Sequence, residues 1–107
     1  FHNMKLITKE IEAKLLKHPF YSTDSVNEKD VLVKFFNPCG IGTWYVFEGE
    51  KHGDDWEFFG LVDLYEKELG YFTLSELQSI KLPFGMSIER DIYFGDKKYN
   101  CETQTFK

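Results

Sequence analysis

Arginine is almost missing from this sequence: Arg90 stands alone against twelve lysines. Cysteine is as scarce. Cys39 and Cys101 are the only two, with no CxxC pair and no spacing suited to zinc. Without an export signal, two such residues read as free thiols in a reducing compartment, so a cytoplasmic location is expected. No apolar run approaches the ~18 residues of a membrane span, and no membrane association is expected. No charged and apolar leader opens the chain. Phe1, His2 and Asn3 read as residues added ahead of a natural start at Met4. Positive charge is in deficit too: net charge is −5 and pI about 5.1. That argues against broad binding of a phosphate backbone, which needs a basic face. Gly40 and Gly42 lie in a glycine-bearing turn, Asn37–Gly42, that fits neither GxGxxG nor a P-loop. No repeat, low-complexity tract or linker divides the 107 residues, so a single domain over 1–107 is expected. A chain of this length buries roughly two-thirds of its unfolded surface, enough for an independent core.

Aromatic residues, by contrast, are plentiful: 18 % of the chain, with eleven Phe and six Tyr. They concentrate in Trp56–Leu74, WEFFGLVDLYEKELGYFTL, around which the rest is organised. With a period of two, Trp56, Phe58, Gly60, Val62 and Leu64 share one face, and Glu57, Phe59, Leu61, Asp63 and Tyr65 the other. Large apolar groups on both faces predict a central strand covered on both sides. A turn at Glu66–Glu68 and a returning strand at 69–72 complete a hairpin. Upstream, Thr8 is a helix N-cap, and Ile11, Leu15 and Leu16 recur at helical spacing before Pro19. This predicts a helix over 8–18. A polar connection follows over 19–30, then strands at 31–36 and 43–48. Thr73 and Glu76 form a capping box for a short helix over 74–81. Residues 88–94 read as an extended segment, and 95–107 as a polar tail or edge strand. The expected fold is therefore α+β: an N-terminal helix, an antiparallel sheet of about four strands, a short second helix and a C-terminal extended segment.

Charged clusters supply the candidate site. His52, Asp54 and Asp55, with Glu48 and Glu50 nearby, look metal-like in composition. They sit on one hairpin loop, where carboxylates face water, so no metal is assigned. Asp63, Glu66 and Glu68 surround the second turn. Glu89, Arg90 and Asp91 lie between apolar residues and so should be paired. An ion pair from Arg90 to Asp63, Glu66 or Glu68 is the leading reading; a grip on a ligand carboxylate or phosphate is its functional alternative. Trp44, Tyr45, Trp56 and Tyr71 offer stacking surfaces for single-stranded nucleic acid, but their neighbours are mostly acidic. The candidate binding set is Arg90, Asp63, Glu66, Glu68, Glu89, Asp91, Trp44 and Tyr71. No residue is assigned as catalytic and no cofactor is implied.

The combination of LITKEIEAKL, VKFFNP, TWY, FFGLVDLYEKELGYFTLSEL and LPFGMSIERDIYF resembles the bacterial family named domain of unknown function 2958. The resemblance runs from about Leu6 to Phe94 and departs after Gly95. It implies a cytoplasmic bacterial setting in plasmids and mobile elements, and no reaction. The expected function is a non-enzymatic interaction or regulatory module that meets a protein partner through an acidic, aromatic-rich surface. The alternatives are a metal-dependent DNA-processing enzyme using carboxylates near Asp63 and Glu89, and a binder of single-stranded nucleic acid. Nucleic acid is the less favoured partner.

Overall fold

A computed structural model describes residues 5–95 and 97–107. The reading of Phe1–Met4 lies outside the described residues. The first helix, α1, spans Lys9–Leu16, with Thr8 as its N-cap: the Thr8 hydroxyl accepts from the Ile11 N–H at 3.3 Å. Ile11 and Leu15 are buried as their spacing predicts, but Leu16 is exposed. A stripe at i and i+4 already meets the sheet, and Leu16 falls 100° away from Leu15. The helix ends at Leu16, short of the expected residue 18. His18 then donates its Nδ1 proton to the Lys14 carbonyl, while its own carbonyl accepts from Gly49 N–H.

The strands are β1 (Glu28–Asp30), β2 (Val33–Phe36), β3 (Thr43–His52), β4 (Asp55–Asp63), β5 (Lys67–Thr73), β6 (Glu89–Arg90), β7 (Lys98–Asn100) and β8 (Thr105–Phe106). The second helix, α2, covers Leu74–Ser79, and one turn of 3₁₀ helix follows at Pro83–Gly85. The fold is α+β, with more strands than the four expected. Five form one antiparallel sheet in the order β5-β4-β3-β2-β6, and three form a second, β1-β7-β8. The second sheet draws on the 19–30 connection and the polar tail.

The stretch around Trp56 is central as its period predicts: β4 pairs with β3 on one side and β5 on the other. Its turn falls earlier than expected, at 64–66, where the Leu64 N–H donates to the Glu66 carbonyl. Lys67 then pairs with Asp63 and belongs to the strand. One face of the large sheet carries Phe35, Trp44, Val46, Trp56 and Phe58, packed under Ile11 and Leu15 of α1 and Leu77 of α2. The opposite face carries Phe47 and Leu61, packed with Val31 and Tyr99 beneath the small sheet.

Alternation breaks once. Between Val46 and Glu48 the β3–β4 register shifts, so Phe47 is the extra residue of a β-bulge. Glu48 then lies opposite Phe59, whose ring packs against the second core. The bulge therefore puts Phe47 and Glu48 on the same face, and Glu48 is only 1 % exposed.

Candidate functional site

The register decides which candidate residues meet. Arg90 lies opposite Phe35, a residue of the helix-covered core. Residues paired across a sheet share a face. Arg90 therefore projects on the α1 side, where its Nη1 donates to the Lys5 carbonyl at 2.7 Å. Asp63 lies opposite Thr43, which shares a face with Tyr45 on the other side. The β4-β3-β2-β6 order adds three strand spacings, about 14 Å, between Asp63 and β6. Glu66 and Glu68 lie further still, at the β5 edge. This corrects the expected pairing of Arg90 with the hairpin acids: the width of the sheet keeps them apart, and Asp63 lies on the opposite face as well.

Asp91, just after β6, and Asp63, at the end of β4, each lie near Tyr45. The Asp91 N–H donates to the Lys34 carbonyl, and the Asp91 carboxylate stands 3.4 Å from Lys34 Nζ. Lys34 Nζ lies over the rings of Tyr45 and Phe94, 5.7 and 5.6 Å from their centroids. Burial first, then the Asp63 and Asp91 carboxylates, push the Tyr45 phenol above its ordinary value. Lys34 and Asp91 thus neutralise each other on an aromatic floor, a well-compensated arrangement. Glu89 takes its place opposite Phe36 at the sheet edge.

Trp44 is removed as a binding candidate, because its ring is buried in the helix-side core. Trp56 is buried there too. Tyr71 is half exposed but engaged, its ring 5.1 Å from Phe59 and 5.3 Å from Phe20, centroid to centroid. Burial, then Tyr21, Glu48 and Asp24, push its phenol up. Among the described residues, no group of three or more His, Cys, Asp or Glu is placed to hold a metal ion.

The His52 loop disperses its own acids. His52 Nε2 stands 3.3 Å from Glu57. Asp55 reaches across to α2, accepting from Ser75 Oγ at 2.7 Å and from Ser75 N–H at 3.0 Å. It adds a carboxylate to a helix start that Thr73 already caps by accepting from Glu76 N–H. The Ser75 hydroxyl is the main cause that holds the Asp55 carboxyl below its usual value of 3.8, with help from backbone N–H groups and His52. A depressed folded-state value means the contribution is present above 3.8 and disappears as pH falls through the folded value. Asp55→Ala is expected to lower the melting temperature by about 4 °C at neutral pH, a cap's worth. Thermal scans should show that gap to wild type closing as pH drops below 3.8. A gap that stays constant to acid pH would refute the assignment.

The buried acid that sequence reasoning missed is Glu48. Its Oε1 accepts from Tyr21 N–H at 3.0 Å, and its Oε2 from Thr23 N–H at 2.9 Å and from the Thr23 hydroxyl. Lys29, also buried, donates to the Thr23 carbonyl and, at 2.8 Å, to the Val26 carbonyl. This network is internal and holds the 20–26 turns on the sheet. The available signal was Gly49: a glycine inside a strand pattern marks a bulge or a close approach. A Cβ there would stand 2.8 Å from Leu15 Cδ2 of α1.

The architecture defines a small α+β domain with one five-stranded antiparallel sheet covered by two helices on one face and by a second, smaller sheet on the other. Residues 6–101 match the family described as protein of unknown function DUF2958, and the chain belongs to it. The match extends past Gly95, where the resemblance was expected to stop, and takes in β7. No curated protein and no solved structure matches the chain. No helix among the described residues is long and apolar enough to cross a membrane.

Proposed function

We propose that the chain is a non-enzymatic interaction module, acting in a bacterial cytoplasm in a plasmid or mobile-element setting. Its partner is a protein that lays an extended segment with basic and apolar side chains along β5. The observation that carries this reading is the character of that edge. β5 has seven residues and, among the described residues, no neighbour on its outer side, and such an edge accepts an added strand. Large apolar side chains stand exposed beside it: Leu64, Tyr65, Leu69 and Tyr71, with Tyr65 89 % exposed. The Gly42 turn packs beside Leu64 and adds exposed Ile41. Asp63, Glu66 and Glu68 rim this patch, so its charge complements lysine and arginine. The alternative of a metal-dependent DNA-processing enzyme has less support, since the register spreads Asp63, Glu68, Glu89 and Asp91 across the width of the sheet.

Affinity capture from bacterial lysates tests the reading. Wild type should recover one discrete partner, and Tyr65→Ser/Leu69→Ser should recover about tenfold less, as expected for loss of exposed anchors. Tyr93→Ser, at the opposite edge, should recover the partner as wild type does. Equal recovery by both variants, or no discrete partner from several hosts, defeats the proposal.

A further inference from the structure

The opposite edge of the sheet has the opposite charge. Beyond β2, Asp91 is tied by its N–H to the Lys34 carbonyl, and Lys97 by its carbonyl to the Val31 N–H. Between residues 91–94 and 97–98, the outer side of β2 and α1 run two hollows, of about 370 and 290 Å³. They share Lys14 and Leu32 in their linings and so form one groove. Its cations among the described residues are Lys14, Lys34, Arg90, Lys97 and Lys98. Among the described residues, five lysine and arginine residues thus line it, against three acids, Glu10, Asp30 and Asp91. In a chain of net charge −5, that concentration leaves the remaining surface more acidic still. Asp91 and Asp30 are engaged by Lys34 and Lys98 at 3.4 and 3.1 Å. Lys14 and Lys97 make no ion pair among the described residues and are exposed.

One end of the groove carries a bare aromatic ring. Tyr93 is 92 % exposed, beside Ile92, which is also exposed and lines the first hollow. The Tyr93 backbone is held by its N–H donating to the Asp91 carboxylate at 3.0 Å. A ring that no described residue covers, next to a cationic furrow, meets the two requirements of single-strand recognition: cations that follow phosphates and a face that stacks a base.

We infer that the groove between α1 and residues 91–94 and 97–98 binds single-stranded nucleic acid, its phosphates along Lys14, Arg90 and Lys97 and a base on Tyr93. A duplex is disfavoured, because it needs a broad basic face and the rest of the surface is acidic. An acidic polypeptide would use the cations but has no base for Tyr93. This inference is independent of the partner proposed for β5, which lies at the other edge of the sheet.

Fluorescence anisotropy with a fluorescein-labelled oligothymidylate of about 16 nucleotides tests it. Saturable binding is expected at low salt, with a log–log salt slope of about −2 to −3 for three to four neutralised phosphates. Lys14→Glu/Lys97→Glu should weaken binding more than tenfold and flatten the slope. Lys51→Glu/Lys67→Glu makes the same charge change away from the groove and should have a several-fold effect at most. Tyr93→Ala should weaken binding several-fold and leave the slope unchanged. Absence of binding by folded wild type at low salt overturns the inference. So does an equal loss in the two charge variants, or equal binding of a poly-glutamate peptide of matched length.

Discussion

Gly60→Ala is expected to destabilise the fold by about 3 kcal/mol or more, among the largest effects of any single methyl group in the chain. Gly60 sits mid-way along β4, opposite Val46 on one side and Gly70 on the other. A Cβ added there would lie 1.7 Å from the Tyr45 carbonyl oxygen, 2.8 Å from the Tyr45 carbonyl carbon and 3.1 Å from Val46 Cα. Every one of these is a backbone atom, so no rotamer change can relieve the clash. β3 and β4 must part where the sheet is centred and both cores meet. Gly70 is the natural control, since a Cβ there would meet nothing within 4 Å. Gly70→Ala should change stability by no more than about 0.5 kcal/mol. Urea unfolding reads the contrast. At a slope of about 1–3 kcal/mol per molar, Gly60→Ala should lose at least about 1 M in midpoint, or fail to accumulate folded. Equal midpoints for the two variants would mean that the strands do not approach as described.

Local signals proved reliable where one residue and its near neighbours decide the outcome. Thr8 and Thr73 cap their helices because the cap is a bond three residues long. The two-faced pattern of 56–65 announced a central strand because burial on both sides needs apolar residues on both sides. The small sheet was not legible. Glu28-Lys29-Asp30 and Lys98-Tyr99-Asn100 are short and polar, and they become strands only by pairing with each other across most of the chain. Tyr99 alone contributes a large buried apolar side chain. The turn at 64–66 was misplaced because a charged run was read as a turn, whereas Lys67 and Glu68 occupy an edge strand, where exposed charged residues are common. The pairing of Arg90 failed for a topological reason. A strand of two residues chose the β2 edge instead of the hairpin, and no periodicity can encode that choice. The candidate site was therefore legible residue by residue, but its arrangement was not. The same topology carries Arg90 to the basic groove, away from the acids at the β5 edge.

Glu48→Ala is expected to cost about 3–5 kcal/mol, the penalty for breaking a buried charged network by removing one member. By strand alternation Glu48 would share the helix-covered face of Trp44 and Val46. The bulge at Phe47 turns it to the opposite face, where its two oxygens accept three hydrogen bonds from Tyr21 and Thr23. Those bonds hold a turn that its own sequence does not favour: Tyr21 sits at φ 72°, a left-handed conformation costly for an aromatic residue. Thr23 stands between the acid and Lys29, accepting from the lysine with its carbonyl and donating its hydroxyl to Glu48. Truncation leaves two backbone N–H groups without their acceptor and a buried lysine without the charge beyond Thr23. Glu48→Gln keeps the shape and one acceptor oxygen, so it should cost less, about 1.5–3 kcal/mol. Lys29→Met removes the other charge. If the two charges act through Thr23 as one network, Glu48→Gln/Lys29→Met should be less destabilised than the sum of the single variants, by about 1 kcal/mol or more in a double-mutant cycle. Limited proteolysis supplies a local readout: cleavage within 20–26 should accelerate in Glu48→Ala under conditions where β4 and β5 stay intact. Additive single effects would reduce the network to two separate anchors. A loss under about 1 kcal/mol for Glu48→Ala would show that the 20–26 turns hold themselves, leaving the bulge without the task its geometry assigns it.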